Sequence, residues 1–246
     1  MSAQPLACRS SVTFAARPAR AASDHLSARR PAAVRMFAVA AVLCAAVISP
    51  SVLSAHPHVF MDARLTFRFD EDMLLGCEVE WQFDRMFTSM VVLDFGVPRD
   101  GNFSDDHVRS IEQGAFSNLR HYDYFTYFVA DGTEHPASEV REFTSYMRED
   151  RLVYRFFVPF RRPIESEEQS VRVRLYDETF FADVQFQDRE PISVVSETAL
   201  CVEYRIRRNE DVDIYYDPRN QSVSREDTEY TGLAHPYEAE LIFRRR

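Results

Sequence analysis

From residue 58 onward, apolar and polar side chains alternate along the chain. Val59, Met61, Ala63, Leu65, Phe67 and Phe69 alternate with His58, Phe60, Asp62, Arg64, Thr66 and Arg68. That period of two belongs to a half-buried β-strand. Asp70-Glu71-Asp72 turns the chain, and Val79, Trp81 and Phe83 then alternate with Glu78, Glu80, Gln82 and Asp84. The two runs predict a β-hairpin with one apolar and one polar face. Further strands are expected at about 122–130, 139–148, 152–160, 170–177, 180–187 and 198–207. Asp131-Gly132, Glu149-Asp150 and Arg162-Pro163 mark turns between them. Helical spacing interrupts the series: residues 85–95 read as a short amphipathic helix. Ser104, with Asp105 and Asp106 in the first turn, caps a second helix whose stripe is Val108, Ile111, Ala115 and Leu119. The expected fold is mainly β (α+β), an antiparallel β-sandwich-like domain over 56–217. A helical insertion occupies about 85–121, and a polar C-terminal tail is expected over 218–246.

The first 55 residues have a different character. Arg9, Arg17, Arg20, Arg29, Arg30 and Arg35 face a lone acid, Asp24. The apolar run from Met36 to Ile48 comes next, broken by Pro50, and Leu53-Ser54-Ala55 offers a small residue at a cleavage point. A basic region, a short apolar core and a small-residue site form a secretory signal. The run is short for a membrane span, which needs roughly 20 apolar residues. Residues 1–55 are therefore read as a cleaved targeting segment, with the mature chain periplasmic, starting near His56 and not stably inserted in a membrane.

Charge and composition narrow the function. The whole chain of 246 residues carries a net charge of −10, and the basic leader makes the remainder more acidic still. Such a field repels phosphate, so nucleic acid is excluded as a partner. The 6 glycines include no phosphate-cradling motif. All 29 basic residues are arginine, which is read as codon bias of a GC-rich genome. No Ser-His-Asp order, paired catalytic carboxylates or CxxC motif points to an enzyme. Cys77 and Cys201 remain after the leader is removed; an exported chain allows them a disulfide or two separate buried thiols.

Specific motifs lie at the strand ends. Ala55-His56-Pro57-His58-Val59-Phe60 leads into the first strand, and Trp81-Gln82-Phe83-Asp84 closes its partner. Tyr122-Asp123-Tyr124-Phe125-Thr126 follows the helices, and Tyr176-Asp177-Glu178-Thr179-Phe180-Phe181 comes later. Together, over roughly residues 55–205, these resemble the family called domain of unknown function 1007. Its members look like periplasmic companions of nickel/cobalt-type and zinc permeases. The resemblance implies an accessory role in divalent transition-metal transport, with a membrane permease as partner. Asp177 carries weight through the resemblance alone. Glu178 departs from the pattern, since such proteins commonly have Pro there. The segment between the helices departs too. Related sequences often carry a calcium-loop-like Asp-x-Asp-x-Asp-Gly, but aligning Asp100-Gly101 with its fifth and sixth positions puts Gly96 and Pro98 at the first and third. His107 falls at the twelfth. Without those carboxylates, calcium binding is not expected, and the remaining residues shape a turn.

His-Pro-His carries the candidate chemistry. Cleavage after Ala55 would give His56 both an α-amine and an imidazole, and His58 a second imidazole. Zinc, nickel and copper favour such nitrogen ligands. Pro57 has no N–H, which excludes the square-planar amide version of an amino-terminal copper or nickel site. Matching polar faces across the hairpin places Asp84 opposite His58 or Phe60, near His58 in both registers. Asp84 is then a ligand, an acceptor orienting the imidazole, or the cap of the helix beginning at Arg85. The candidate metal residues are His56, His58 and Asp84. The alternatives are a copper-binding sandwich with an N-terminal histidine brace and a metal-free structural adaptor. His107, His121, His135 and His235 are read as surface or packing residues. Asp183 lies near the Phe180-Phe181 pair.

Overall fold

The computed structural model describes residues 58–98, 100–216 and 232–246. The predicted hairpin forms β1 (Val59–Phe69) and β2 (Met73–Phe83), paired antiparallel with Met61 opposite Phe83 and Leu65 opposite Val79. On β1 the odd-numbered residues are buried and the even-numbered ones at least partly exposed, as alternation requires. Two helices follow, α1 (Arg85–Asp94) and α2 (Asp105–Gly114), and then a 3-10 stretch over Phe116–Phe125. Next come β3 (Thr126–Ala130), β4 (Thr133–Pro136), β5 (Arg141–Arg148), β6 (Arg151–Pro163) and β7 (Gln169–Leu175). The series ends with β8 (Ala182–Phe186), β9 (Ile192–Ser196), β10 (Leu200–Arg208), β11 (Ile214–Tyr216), β12 (Gly232–Ala234) and β13 (Tyr237–Arg245).

Two sheets enclose the core. One runs β5-β6-β2-β1-β8, with β9 also pairing with β1; the other runs β10-β13-β7-β3-β4. β8 and β9 pair with β1 in parallel, along successive parts of its length, so the first sheet is mixed at that edge. Their inner faces meet through aromatic pairs. Phe69 of β1 meets Phe243 of β13 edge-on at 5.1 Å, and Phe128 of β3 stacks on Phe160 of β6 at 4.5 Å. The sandwich-like α+β architecture expected from alternation is the one observed.

Three expectations need correction. The strand expected from 122 begins only at Thr126, because Asp123, Tyr124 and Phe125 all have positive φ, near 50°. Strands do not tolerate left-handed backbone; the Thr126 hydroxyl donates to the Tyr124 carbonyl at 2.8 Å and braces the bend. The second helix stops at Gly114, so Ala115 and Leu119 of its expected stripe belong to the following segment. Lastly, the polar tail does not hold for the described residues 232–246. β13 sits between β10 and β7, with Leu241 and Phe243 buried in the core. Its register is fixed by buried Glu238, which faces Arg174 on β7 and Arg207 on β10.

Cys77 and Cys201 are both free thiols. They lie on different sheets, β2 and β10. Burial pushes the Cys77 thiol well above its ordinary pKa, which keeps it protonated and inert. Asp100 shapes the turn before α2. The Asp100 carboxylate accepts from the Asn102 backbone N–H at 3.1 Å and from its side-chain amide at 2.7 Å. Calcium is therefore expected to leave the melting temperature unchanged. A site filled at 100 times its dissociation constant would add about 2.7 kcal/mol, and a calorimetric shift of that size would refute this.

Candidate functional site

The start of β1 is pinned on both sides. Along the β8 edge, the backbone N–H groups of His58 and Val59 donate to the Phe181 carbonyl at 2.9 and 3.1 Å. The His58 ring lies 5.0 Å from that of Phe181, tilted by 39°. Phe181 is held there by Asp177. One Asp177 oxygen accepts from the Thr179 N–H (2.8 Å) and hydroxyl (2.7 Å), and the other from the Ala182 N–H (3.1 Å). The buried Asp177 is thus the brace of the β7–β8 turn. Asp-Glu-Thr-Phe-Phe in the sequence is a turn that presents Phe181 to His58.

On the β2 side, the pairing sum settles on the second of the two registers. Asp84 lies opposite Phe60, donating its N–H to the Phe60 carbonyl at 2.9 Å. Its carboxylate does two further things. One oxygen receives the Met86 and Phe87 N–H groups, at 2.7 and 2.9 Å, capping α1. The other receives the Phe60 N–H at 3.0 Å. Three backbone donors occupy most of the roughly four lone-pair positions of a carboxylate. For these oxygens the structure shows the capping role, so Asp84 joins α1 to β1. Asp84→Ala is expected to cost about 1–2 kcal/mol through the lost cap, read as a lower urea midpoint with unchanged slope. Asp84→Asn, which keeps an acceptor, is expected to cost less.

Position by position, the polar face at this end carries His58, Phe60, Asp84 and Asp183. Asp183 pairs with Phe60 from the β8 side, so the two carboxylate residues flank Phe60 from opposite strands. His58 precedes β1 by one residue, two positions before Phe60 on the same chain. The Asp183 carboxylate accepts from the Gln185 amide at 2.9 Å. Among the described residues, no three His, Cys, Asp or Glu side chains converge as a metal site. His56 lies outside the described residues. A metal centred here would need donors from outside the described residues to join His58.

The other histidines have local structural surroundings. His107 completes the α2 capping box: its N–H donates to the Ser104 hydroxyl at 3.3 Å and its Nδ1 accepts from the Ser104 N–H at 3.2 Å. The His235 ring lies 3.1 Å from the Val212 carbonyl, and His135 sits beside Phe160.

The family described as "Protein of unknown function (DUF1007)" matches residues 40–240. The chain belongs to the DUF1007 family. It is similar, at 28% identity over 104 residues, to an "Uncharacterized 15.5 kDa protein in trpE 3'region" of Spirochaeta aurantia, covering 42% of this chain and 74% of that protein. It is also similar, at 22% identity over 177 residues, to an "Uncharacterized protein" of Haemophilus influenzae, covering 70% of this chain and 84% of that one. Three motifs that carried the DUF1007 resemblance have local structural reasons. Asp84 caps and anchors, Asp123-Tyr124-Phe125 makes a left-handed bend, and Asp177 braces a turn.

Sequence reasoning missed two residues at the inner wall of this end. Trp81 and Tyr154 are direct cross-strand partners on β2 and β6. Both are fully buried, and neither the Trp81 indole N–H nor the Tyr154 hydroxyl has a partner among the described residues. Alternation marks both positions as inward-facing, but pairing between such distant strands is not written in local sequence.

Proposed function

We propose that this DUF1007 chain is an exported, non-enzymatic accessory of divalent transition-metal transport, acting in the periplasm beside a membrane permease. The supporting observation is the placement of His58. Its backbone, two residues ahead of Phe60, is fixed to the Phe181 carbonyl just before β8, and Asp84 and Asp183 flank Phe60. A histidine held this way keeps its position whether or not an ion is bound, which lowers the ordering cost of binding. Removal of the leader would add the His56 amine and imidazole two residues away. Zinc, nickel and copper are the ions such nitrogen donors take. The acidic mature surface would attract cations to this edge. No helix among the described residues is long and apolar enough to cross a membrane, and the permease would supply the membrane passage.

One observation favours the metal-free adaptor instead. The Asp84 oxygens are engaged by backbone donors, which leaves His56 and His58 to hold an ion with little carboxylate help. Mass spectrometry of protein recovered from its own compartment separates the readings. The metal role requires a chain beginning at His56 and carrying close to one equivalent of transition metal. A chain beginning elsewhere, or one free of metal, favours the adaptor.

A further inference from the structure

β10 is a long open edge. It pairs with β13 over all 9 of its residues without a register shift, and among the described residues no strand lies on its other side. The other sheet edges are protected. β4 has 4 residues, β8 and β9 have 5 each, and the 8 residues of β5 are interrupted by a register shift. Short strands and bulges are common ways of blocking further pairing. β10 has neither, and half of its backbone N–H and C=O groups point away from β13.

The two faces of this edge differ. Val202, Tyr204 and Ile206 lie opposite Phe243, Leu241 and Ala239, which are buried in the core, so the even-numbered side chains face inward. The edge leaves this apolar row incompletely covered: Val202 and Ile206 are only partly buried, and Tyr204 is 48% exposed. Glu203 and Arg205 stand on the outer face, and both are exposed. One more strand would cover the apolar row and pair the free backbone groups.

The sequence of β10 fits a second β10. In an antiparallel self-pair a two-fold axis relates the strands, so each contact occurs twice. An axis between two residues would set apolar side chains against charged ones, because pairing partners share a face. The axis must therefore pass through a residue. At Glu203 it would set glutamate against glutamate, and at Arg205 arginine against arginine. At Tyr204 it sets Glu203 against Arg205 of the second copy, twice, and Val202 against Ile206. That register also overlaps the whole strand, from Leu200 to Arg208. Opposite charges placed directly across a strand pair attract and like charges repel, so the fully overlapped register is also the one with matched charges.

We infer that β10 is a self-association surface, through which two copies of this chain pair antiparallel about a two-fold axis at Tyr204 and join their second sheets into one. The inference stands independently of any metal at His58. Edge pairing buries little area, so the dimer is a dissociable one.

Sedimentation velocity of the full chain over a wide concentration range tests this. Wild type is expected to be monomeric when dilute and dimeric when concentrated. Glu203→Arg sets two arginine pairs across the axis, and Arg205→Glu sets two glutamate pairs. Each is expected to weaken the dimer on the order of tenfold or more. Mixed together, the two variants regain both Arg–Glu pairs, and a heterodimer of about wild-type affinity is expected. Glu203 lies opposite Ile242 on its own chain, so Glu203→Arg creates no like-charge pair within the fold. Arg205→Glu does face Glu240, and its melting curve shows whether it is folded; if it is not, Glu203→Arg alone decides. A wild type that stays monomeric, undiminished dimerisation in Glu203→Arg, or no heterodimer from the two folded variants overturns the inference.

Discussion

Gly76→Ala is expected to destabilise the protein by more than about 3 kcal/mol. Gly76 sits where the β2–β6 register shifts, with φ at +143°. A Cβ there would lie 2.2 Å from the Val158 carbonyl oxygen, 2.8 Å from the Phe160 nitrogen and 2.9 Å from the Phe157 ring. Two of those three atoms are backbone of the neighbouring strand and cannot swing aside. Either β2 separates from β6 or the residue is forced into a conformation L side chains rarely adopt. For a chain of this size the melting temperature should fall by about 6–12 °C. Gly132 is the control: its φ is +76° but a Cβ would meet nothing within 4 Å. Gly132→Ala should cost only about 1 kcal/mol of backbone strain. Similar losses for the two variants would refute this account of the bulge.

Glu238→Ala is expected to cost about 3–5 kcal/mol, the penalty for removing one partner from a buried ion network. Glu238 is fully buried. Arg174 donates to it at 2.7 Å, Arg207 at 2.9 Å and Asn209 at 3.0 Å, and Arg172 approaches at 3.5 Å. Truncation would leave those cations facing each other. Burial pushes the Glu238 carboxyl upward, but the bonds from Arg174 and Arg207 and the charge of Arg172 outweigh it and hold the pKa below its ordinary value. Glu80 behaves alike: burial opposes, while Arg148 and Tyr146 prevail. A depressed pKa contributes stability that is complete above the unfolded value, about 4.3, and is lost as pH falls through the folded value. Stability should therefore fall in that acid window, less steeply in Glu238→Gln. An unchanged acid limb in Glu238→Gln would refute the network's role.

Glu238 also shows where sequence reading stops. Tyr237-Glu238-Ala239-Glu240-Leu241 alternates, but a carboxylate beside a polar stretch reads as solvated tail. Its compensating arginines lie far away on β7 and on β10, so nothing local reveals that the charge is buried. The hairpin was legible because its partners are adjacent in sequence and parity alone limits the register. Asp84 was legible as a cap for the same reason, being the residue just before Arg85. The bend at Asp123-Tyr124-Phe125 was not, since an aromatic run carries a strong strand signal that backbone dihedrals overrode. The parallel pairing of β8 and β9 with β1, and the meeting of Trp81 with Tyr154, depend on contacts between distant segments. Of the metal candidates, His58 and Asp84 stand at the same end of the β1–β2 hairpin, and His56 lies outside the described residues.

Calorimetric titration of zinc, nickel and copper into protein beginning at His56, at pH 7.5, tests the metal role most directly. One saturable site is expected for at least one of these ions, lost in a His56→Ala, His58→Ala double variant. Asp84→Asn should retain most of the affinity, because the Asp84 oxygens serve the backbone. Binding should weaken as pH drops through roughly 6.5, where imidazole gains its proton. Equal binding by wild type and the double variant, or no binding by wild type, would contradict the proposed metal role of His-Pro-His.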